Sequence, residues 1–351
     1  MIRNVFVGLF VFMSAYAPAT PVLSHSYKET DIYHPLYPVS QPREEGYLKV
    51  SEIHTLFYAA YGDPDGIPVV ILHGGPGAGC DDSLSRFFDL RRWNVVMFDQ
   101  RGAMRSEPFA CMEENSPQHS ISDIESLRKH LGIKKWMVFG GSWGSTLAML
   151  YGQAHPERCI GFILRGIFLG REHDYLHVIY GMGKVFPEAY ESFVHHIPVE
   201  ERKDLLSAYY NRIMDPDSEI HMSAARKFMQ FDLACSTYLP NPEGVTKVLQ
   251  NDKLILSMTR PFLYYSVHRF FLESNQILSQ MHKIAHLPAI IVHGRWDAIC
   301  LPEMAYSLHQ NWTNSTLWMV IKGGHSANDA AIAATLTTAT DIFAEKLGSG
   351  L

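Results

Sequence analysis

The sequence predicts an α/β fold in which helices cover both faces of a mostly parallel sheet. Continuous apolar runs predict the sheet, because strands that are apolar along their whole length are buried on both faces, as in parallel sheets. Helical patterns lie between the runs, which is the alternation of a layered α/β protein. The six runs are 69–72, 95–98, 136–139, 160–164, 289–292 and 317–321.

Two further elements can be placed along the first half of the chain. Residues 46–50 and 53–61 alternate well enough between apolar and polar side chains to predict an antiparallel hairpin before the first run. Between the second and third runs, Ser122 and Glu125 form the pattern of a capping box, and Gly132 supplies a helix end. We therefore expect a helix that starts at Ser122 and ends before Gly132.

A long segment without strand patterns separates the fourth run from the fifth. From about residue 170 to 285, aromatic, histidine and charged residues recur at helical spacings. An insertion between two core strands explains this better than a second consecutive domain, and it would lie above the carboxyl ends of the strands, where ligands bind. We expect a helical cap at 170–285, inserted into a core formed by 25–169 and 286–351.

Composition limits the classes of protein to which the chain can belong. With 351 residues, of which 47% are apolar, it can bury a large core. Its net charge of −6 comes from interspersed charges of both signs, so we expect no nucleic-acid partner. Five scattered cysteines show no CxxC pair, and we expect buried thiols, with two bridges at most after export.

Residues 1–24 have the layout of a secretory signal peptide. Arg3 precedes an apolar run over 5–13, and small residues and prolines follow. The run is shorter than the roughly 20 residues that span a bilayer, so no stable membrane span is expected, with an uncleaved anchor as the alternative. The sequence predicts a periplasmic or secreted protein, and leaves the cleavage site open among Ala17, Ala19 and Ser24.

The stretch GGSWG, residues 140–144, fits the pattern G-x-S-x-G between a predicted strand and a predicted helix. On such a sharp turn the hydroxyl of Ser142 is exposed, and the flanking glycines let neighbouring backbone pass closely. The helix N-terminus beneath it offers unpaired N–H groups that suit an oxyanion. Ser142 is therefore the candidate nucleophile.

A serine nucleophile needs a general base and an acid that orients the base. In hydrolases with this turn, the three residues follow in the order serine, acid, histidine. Asp297 lies in the loop after the fifth run, and His325 lies in the loop after the sixth, beside two glycines. We therefore predict a catalytic triad of Ser142, Asp297 and His325.

An oxyanion hole requires two donors. The backbone N–H of Trp143, directly after the serine, is the first, and the second is expected from the loop HGGPGAG, residues 73–79, at Gly75. In the same loop, His73 is expected to be a structural hydrogen-bonding residue. The turn 99–102 after the second run is expected to be scaffolding near the site.

Patterns for cofactors are weak. Gly181 and Gly183 form a lone G-x-G without a preceding strand, which argues against a dinucleotide site. His195 and His196 lack the HExxH spacing of a zinc site. We expect no cofactor and no metal.

Taken together, these residues make the chain resemble the proline iminopeptidases, serine peptidases of the α/β-hydrolase fold that remove an amino-terminal proline from peptides. The similarity spans roughly residues 46–347. It rests on the stretches GYLKVSEIHTLFY, HGGPGAGC, FDQRGAMRS, GGSWGSTLAMLYGQAHPE, RGIF, VHGRWD and GGHSA. This set is far more specific than G-x-S-x-G alone.

The resemblance implies the same triad and the same two oxyanion donors. It also implies that Phe168, in the R-G-x-F stretch, meets the proline side chain, and that Phe270 is a second wall of that pocket. Peptides with an amino-terminal proline are then the expected substrates. Relatives of this kind commonly lack a leader, so a cytoplasmic location is the alternative to export.

The chain departs from the family where the substrate's amino group should bind. Family members generally hold that group with one glutamate in W-x-x-W-E and another shortly before H-x-F. Here the first segment is FMQFD, residues 228–232, which shortens the glutamate to Asp232, and Ser266 stands where the second carboxylate should be. Asp232 is the remaining candidate anchor. In FDQRGAMRS, Ala103 and Met104 replace a small residue and a glycine.

The sequence therefore favours a serine exopeptidase that forms an acyl-enzyme on Ser142. An esterase or amidase that no longer needs a free amine is the first alternative, because a buried ammonium requires a partner and one of two carboxylates is missing. A non-catalytic binding protein built on the same fold is the second.

Overall fold

An eight-stranded sheet forms the centre of the computed structural model, which describes residues 34–348. The predicted signal peptide lies outside the described residues. Each apolar run of the sequence lies in a strand, except that Ile321, the last residue of the sixth run, follows its strand, and the expected hairpin supplies the first two strands. The strands are β1 Glu44–Lys49, β2 Thr55–Gly62, β3 Ile67–Leu72, β4 Trp93–Phe98, β5 Trp136–Ser142, β6 Cys159–Ile167, β7 Ala289–Gly294 and β8 Ser315–Val320.

The sheet has the order β1-β2-β4-β3-β5-β6-β7-β8. The β1–β2 and β2–β4 pairs are antiparallel, and the pairs from β4–β3 to β7–β8 are parallel. The sheet is therefore mostly parallel, as predicted. Because the carboxyl ends of parallel strands share one edge, the loops after β3, β5, β7 and β8 meet there.

Alternate residues of the central strands pack into two hydrophobic clusters, one on each face of the sheet. In β3, Val70 and Leu72 belong to the first cluster, whereas Val69 and Ile71 belong to the second. We call them the α2-face cluster and the α11-face cluster, after the helices that cover them. The helices outside the β6–β7 connection are α1 Pro117–His130, α2 Trp143–Ala154, α10 Pro302–Gln310 and α11 Ala330–Gly348.

The predicted start of α1 is wrong. The helix begins at Pro117, after Ser116, so Ser122 lies inside it and is not a cap. Proline fits the first helical position, because its φ is already helical and its missing N–H has no partner to lose there. Glu125 instead forms an ion pair with Arg128, and the helix end is as predicted, with Gly132 at φ +66°.

The connection between β6 and β7 is helical within the described residues. Its core is aromatic: the Phe193 ring stacks on Tyr209, with centroids 4.3 Å apart, and on Phe231 at 4.7 Å. The helices are α3 Glu172–Leu176, α4 Pro187–His195, α5 Leu205–Ile213, α6 Ser218–Ser236, α7 Pro242–Leu249, α8 Asp252–Val267 and α9 Gln276–Ser279. None of the helices within 34–348 is long and apolar enough to cross a membrane.

The five cysteines are free thiols, of which Cys80, Cys159, Cys235 and Cys300 are buried and Cys111 is half-buried.

Candidate active site

Ser142 lies on the turn between β5 and α2, with φ 58° and ψ −129°. This left-handed backbone conformation is strained for a residue with a Cβ, and such strain persists where the surrounding structure fixes it. A Cβ at Gly144 would collide with the carbonyl oxygen of Leu72 at the end of β3. Glycine at this position therefore lets the turn approach the neighbouring strand, and the serine is presented at the sheet edge.

Ser142, His325 and Asp297 form one hydrogen-bonded row. The Ser142 Oγ lies 3.0 Å from His325 Nε2, and His325 Nδ1 lies 2.8 Å from Asp297 Oδ2. Because an ionised carboxylate only accepts hydrogen bonds, the proton of the imidazole is on Nδ1, and Nε2 accepts from the hydroxyl. This is the geometry in which a histidine can take the proton of a serine.

Asp297 is fixed and kept ionised by its surroundings. Its Oδ1 accepts hydrogen bonds from the backbone N–H groups of Ile299, at 3.1 Å, and Cys300, at 2.8 Å. Burial alone would raise the pKa of this carboxyl, but the adjacent His325 and His293 and the N–H donors lower it below its usual value. The carboxylate therefore carries the charge that orients His325.

His293 is a site residue that the sequence analysis did not single out. Its Nδ1 accepts from the N–H of Ile167, at 3.1 Å, so its Nε2 carries the proton and donates to the carbonyl of Cys300, at 2.9 Å. Burial lowers the pKa of His293, which keeps the ring neutral. The ring ties the end of β6 to the Asp297 loop. Only its position at the end of β7 could have indicated this.

The loop that carries His325 is attached to the helical connection. The carbonyl of Ser236, at the end of α6, accepts from the N–H of His325 at 3.0 Å and from that of Ser326 at 2.9 Å. The Asp329 carboxylate accepts from the N–H of Gly324 at 2.7 Å and from that of Tyr238 at 3.1 Å. Hydrogen bonds at both ends of this contact therefore join the end of helix α6 to the histidine loop.

Gln100 connects the two segments that carry the expected oxyanion donors. Its Oε1 accepts from the indole Nε1 of Trp143, at 2.9 Å, and its Nε2 donates to the carbonyl of His73, at 3.0 Å. The backbone N–H of Gln100 also donates to His73 Nε2, at 3.0 Å. His73 thus has a structural hydrogen-bonding position. Gln100 lies in the turn expected to be scaffolding, where it joins both segments.

Gly75 and Trp143 border the same cavity as Ser142. Gly75 has φ +107°, and a Cβ there would lie 2.7 Å from the N of Gly77, so the loop can adopt this path only with glycine. The loop is held from above by Ser257 of α8, whose Oγ donates to the carbonyl of Gly77, at 2.6 Å. The same Oγ accepts from the N–H of Met104, at 3.1 Å.

A cavity of about 380 Å³ surrounds the Ser142 hydroxyl. Phe168 borders it, and Ser145 fixes Phe168 relative to the nucleophile: its Oγ donates to the Ser142 carbonyl, at 2.7 Å, and accepts from the N–H of Phe168, at 3.1 Å. Phe270, expected to be a second wall of the pocket, does not border the cavity; it is fully buried behind Phe168, with ring centroids 5.0 Å apart. Phe262, which the sequence analysis did not single out, borders the cavity.

Asp232 of α6 borders the cavity, and Ser266 is buried within α8. Burial raises the pKa of Asp232, and the nearby His325 only partly offsets this. The Ser266 Oγ donates to the carbonyl of Phe262 in its own helix, at 2.8 Å. Of these two positions, therefore, the structure brings Asp232 to the cavity.

Two clusters within residues 34–348 bring three potential metal-ligand atoms together. In the first, Asp297 and His325 bond to each other, and burial raises the pKa of the Cys300 thiol, which keeps it protonated. The second is His173 with Asp174 and Glu303, whose carboxylates pair with Arg171. Both sets already have protein partners.

Comparison with known proteins gives the family. A model of the α/β-hydrolase fold matches residues 67–330. A probable proline iminopeptidase of Leptolyngbya boryana is 42% identical over 317 residues, which cover 90% of this chain and 98% of the relative. The proline iminopeptidase of Arabidopsis thaliana is 43% identical, over 89% of this chain and 83% of the relative.

Solved structures agree with the fold at lower identity. A proline iminopeptidase-related protein from Thermus thermophilus has a TM-score of 0.58 at 18% identity, covering 86% of this chain and 97% of its own. The 2-hydroxy-6-oxo-6-phenylhexa-2,4-dienoate hydrolase of a Rhodococcus strain gives the same TM-score and identity, covering 86% of this chain and 98% of its own. The chain belongs to the proline iminopeptidase family of the α/β-hydrolase fold.

Proposed function

We propose that this chain is a serine exopeptidase that releases an amino-terminal proline from peptides. One observation carries the proposal: the cavity bordered by Ser142 and His325 of the hydrogen-bonded row is also bordered by Asp232, a half-buried carboxylate with no ion-pair partner among residues 34–348. A carboxylate that is partly removed from water without a cation is costly, and a substrate ammonium would supply one. Family membership supports the same activity.

The reaction follows from the hydrogen-bonded row. His325 Nε2 takes the proton of Ser142 as Oγ attacks the proline carbonyl carbon, and the N–H groups of Trp143 and Gly75 stabilise the oxyanion. His325 then gives the proton to the leaving amine, which departs and leaves a prolyl ester on Ser142. A water molecule, deprotonated by His325, hydrolyses this ester. Asp297 holds the imidazole and stabilises its charged form throughout.

The cavity supplies selectivity in this proposal. The Phe168 ring packs against the pyrrolidine ring, and Asp232 pairs with the proline ammonium. Phe270 acts from behind by fixing Phe168. Because Ser266 provides no second carboxylate, the demand for a free amine is weaker than in relatives with two glutamates. This observation favours one second candidate, an esterase or amidase that does not need the amine.

A substrate panel tests the proposal. The proposal predicts hydrolysis of proline arylamide at least about 30-fold faster, in kcat/KM, than of its N-acetyl form, which is what about 2 kcal/mol of ammonium–carboxylate pairing gives. Equal rates on the free and blocked forms, with efficient cleavage of simple acyl esters, would instead assign the esterase or amidase activity. An absence of turnover on every member would assign a binding protein.

We also propose the domain arrangement expected from the sequence, with 25–169 and 286–351 as the core and 170–285 as a cap. The hydrogen bonds of Ser236 to the histidine loop and of Ser257 to the loop at Gly77 support a cap that covers the active site.

Export through a signal peptide at 1–24 is our proposal for localisation, and a cytoplasmic location is the alternative. It rests on the sequence of the leader alone. Expression of the full chain in its host tests it. A mature protein that starts between residues 18 and 25 outside the cytoplasm supports export, and a protein of full length in the cytoplasm refutes it.

A further inference from the structure

The cavity beside Ser142 is bordered by both hydrophobic clusters of the protein. Phe168 and Phe228 border it and belong to the α2-face cluster. Ile71 and Phe139 also border it, but they belong to the α11-face cluster. Since these clusters lie on opposite faces of the sheet, the cavity extends to both sides of the strand end that carries Ser142.

The second side has an apolar wall of its own. Leu84 and Phe87, in the 3₁₀ turn Asp82–Phe87, border the cavity together with Ile71, Phe139 and Ala327 of the loop after His325. These five residues define what we call the leaving-group lobe. Each of them either belongs to the α11-face cluster or packs against it.

Amide cleavage requires space on two sides of the reacting carbonyl carbon. The tetrahedral carbon bonded to Ser142 carries the acyl residue on one side and the leaving amine on the other. Phe168 and Asp232 border the cavity on the side of the helical connection, where the proposed function places the proline. The leaving amine then extends toward the leaving-group lobe.

The cavity has room for both groups. An apolar protein cavity of about 150 Å³ holds a benzene molecule. A pyrrolidine ring is smaller than benzene, and the cavity here measures about 380 Å³. The remaining space therefore accommodates a second side chain of substantial size.

We propose that this enzyme prefers peptides whose second residue has a large apolar side chain, which binds in the leaving-group lobe. The inference rests on the proposed function and specifies the substrate class within it. Burial of an apolar side chain against such a wall is favourable in proportion to the area removed from water. Leucine at the second position gains this favourable free energy of burial, whereas glycine, which has no side chain, does not.

Two charged groups near the lobe shape the experiment: Asp81, which caps the turn Asp82–Phe87, and Arg165. Arg165 borders the cavity, and its Nη1 donates to the carbonyl of His325, at 2.7 Å. A free carboxylate on the second residue could interact with this guanidinium. Peptides amidated at their carboxyl end remove that interaction from every comparison.

The test compares prolyl-leucinamide, prolyl-glycinamide and prolinamide, whose leaving group is only ammonia. For the wild type we expect kcat/KM on prolyl-leucinamide to exceed that on prolyl-glycinamide by at least about tenfold, the value of a small apolar difference in a pocket. Equal values on the two dipeptide amides would overturn the inference alone. If proline is released from none of the three substrates, the proposed function is overturned, and the inference with it.

A substitution in the lobe assigns the preference to its wall. Leu84→Gln replaces the apolar side chain by a polar one of comparable bulk, and we expect the leucine-to-glycine ratio to fall below about threefold while kcat/KM on prolinamide is unchanged. Leu84→Ala removes the same contact without a polar group and should also lower the ratio. A ratio that persists in both variants, with prolinamide hydrolysis intact, would overturn the assignment.

Leu90 provides the matched control. It is half-buried like Leu84 and packs against the same cluster, but it does not border the cavity. Leu90→Gln should therefore retain the wild-type ratio. If Leu90→Gln lowers the ratio as much as Leu84→Gln, the preference is not a property of the lobe.

Discussion

Replacing Asp232 by asparagine removes the charge at the proposed ammonium site without changing the volume of the cavity. The Asp232 carboxylate is half-buried beside the site, and the loss of hydration raises its pKa because it disfavours the charged form. Truncating one partner of a buried charge pair costs about 2–5 kcal/mol. At about 1.4 kcal/mol per factor of ten, Asp232→Asn should lower kcat/KM on proline arylamide by at least about 30-fold.

The pH dependence of kcat/KM tests the role of the Asp232 charge independently. Because the pKa of Asp232 is raised in the free enzyme, its carboxylate is lost on acidification at a pH above that of an ordinary aspartate. The kcat/KM of a cationic substrate should therefore fall through that pKa as the pH decreases. In Asp232→Asn, the acid limb should become less steep.

Two controls accompany the assay. Hydrolysis of an acyl ester without an amine should keep its rate in Asp232→Asn, because the triad is unchanged. Asp252→Asn, at the exposed start of α8, should resemble the wild type on both substrates. The account is refuted if Asp232→Asn leaves the preference for the free amine intact, or if ester and arylamide rates fall equally.

Three further outcomes follow from the structure. Gln100→Leu removes the side-chain hydrogen bonds to the Trp143 indole and the His73 carbonyl. It should lower kcat on proline arylamide by about 100-fold with little change in KM, as expected for misplaced oxyanion donors, and an altered KM alone would contradict this. Asp329→Ala should lower kcat about tenfold, and Asp329→Asn should lower it much less, because asparagine keeps an acceptor for the Gly324 N–H of the histidine loop. Equal losses of kcat in the two variants would contradict this explanation. Glu125→Gln should cost about 1.5–3 kcal/mol in urea unfolding at pH 7, and a constant difference at every pH would contradict the reasoning.

The pH dependence of the last variant follows from the surroundings of Glu125. Burial would raise the pKa of this carboxyl, but hydrogen bonds from Arg128 and Tyr151 lower it to about 2, against about 4.3 when unfolded. The stabilisation is therefore complete above the unfolded value and is lost as the pH falls toward 2. The wild type and Glu125→Gln should then converge in stability at low pH.

The sheet was predictable because a parallel strand that is buried on both faces has a continuous apolar run in its sequence. Runs such as 69–72 and 136–139 therefore located β3 and β5. The start of α1 was not predictable in the same way, since Ser122 and Glu125 satisfy a local capping pattern that Pro117 overrides by starting the helix earlier. The capping pattern and the proline are competing signals for the start of the helix, and the sequence alone does not show which of them prevails.

The site was predictable where chemistry depends on chain order and on loops at strand ends. Ser142, Asp297 and His325 stand in the order that such hydrolases use, and the structure places them in one row. Contacts between distant segments carry no such sequence signal. The position of His293 at the end of β7 does not reveal that it joins the end of β6 to the acid loop, and nothing local indicates that the Ser236 carbonyl holds the histidine loop.

The measurement that tests the central claim most directly is labelling with a serine-reactive phosphonate, located by mass spectrometry of the digested protein. The account predicts a single adduct on Ser142, full loss of proline arylamide hydrolysis in step with labelling, and no adduct in Ser142→Ala, whose turnover should be about 10⁴ to 10⁶ lower. A phosphonate adduct on another residue, or Ser142→Ala retaining wild-type hydrolysis, would contradict the account.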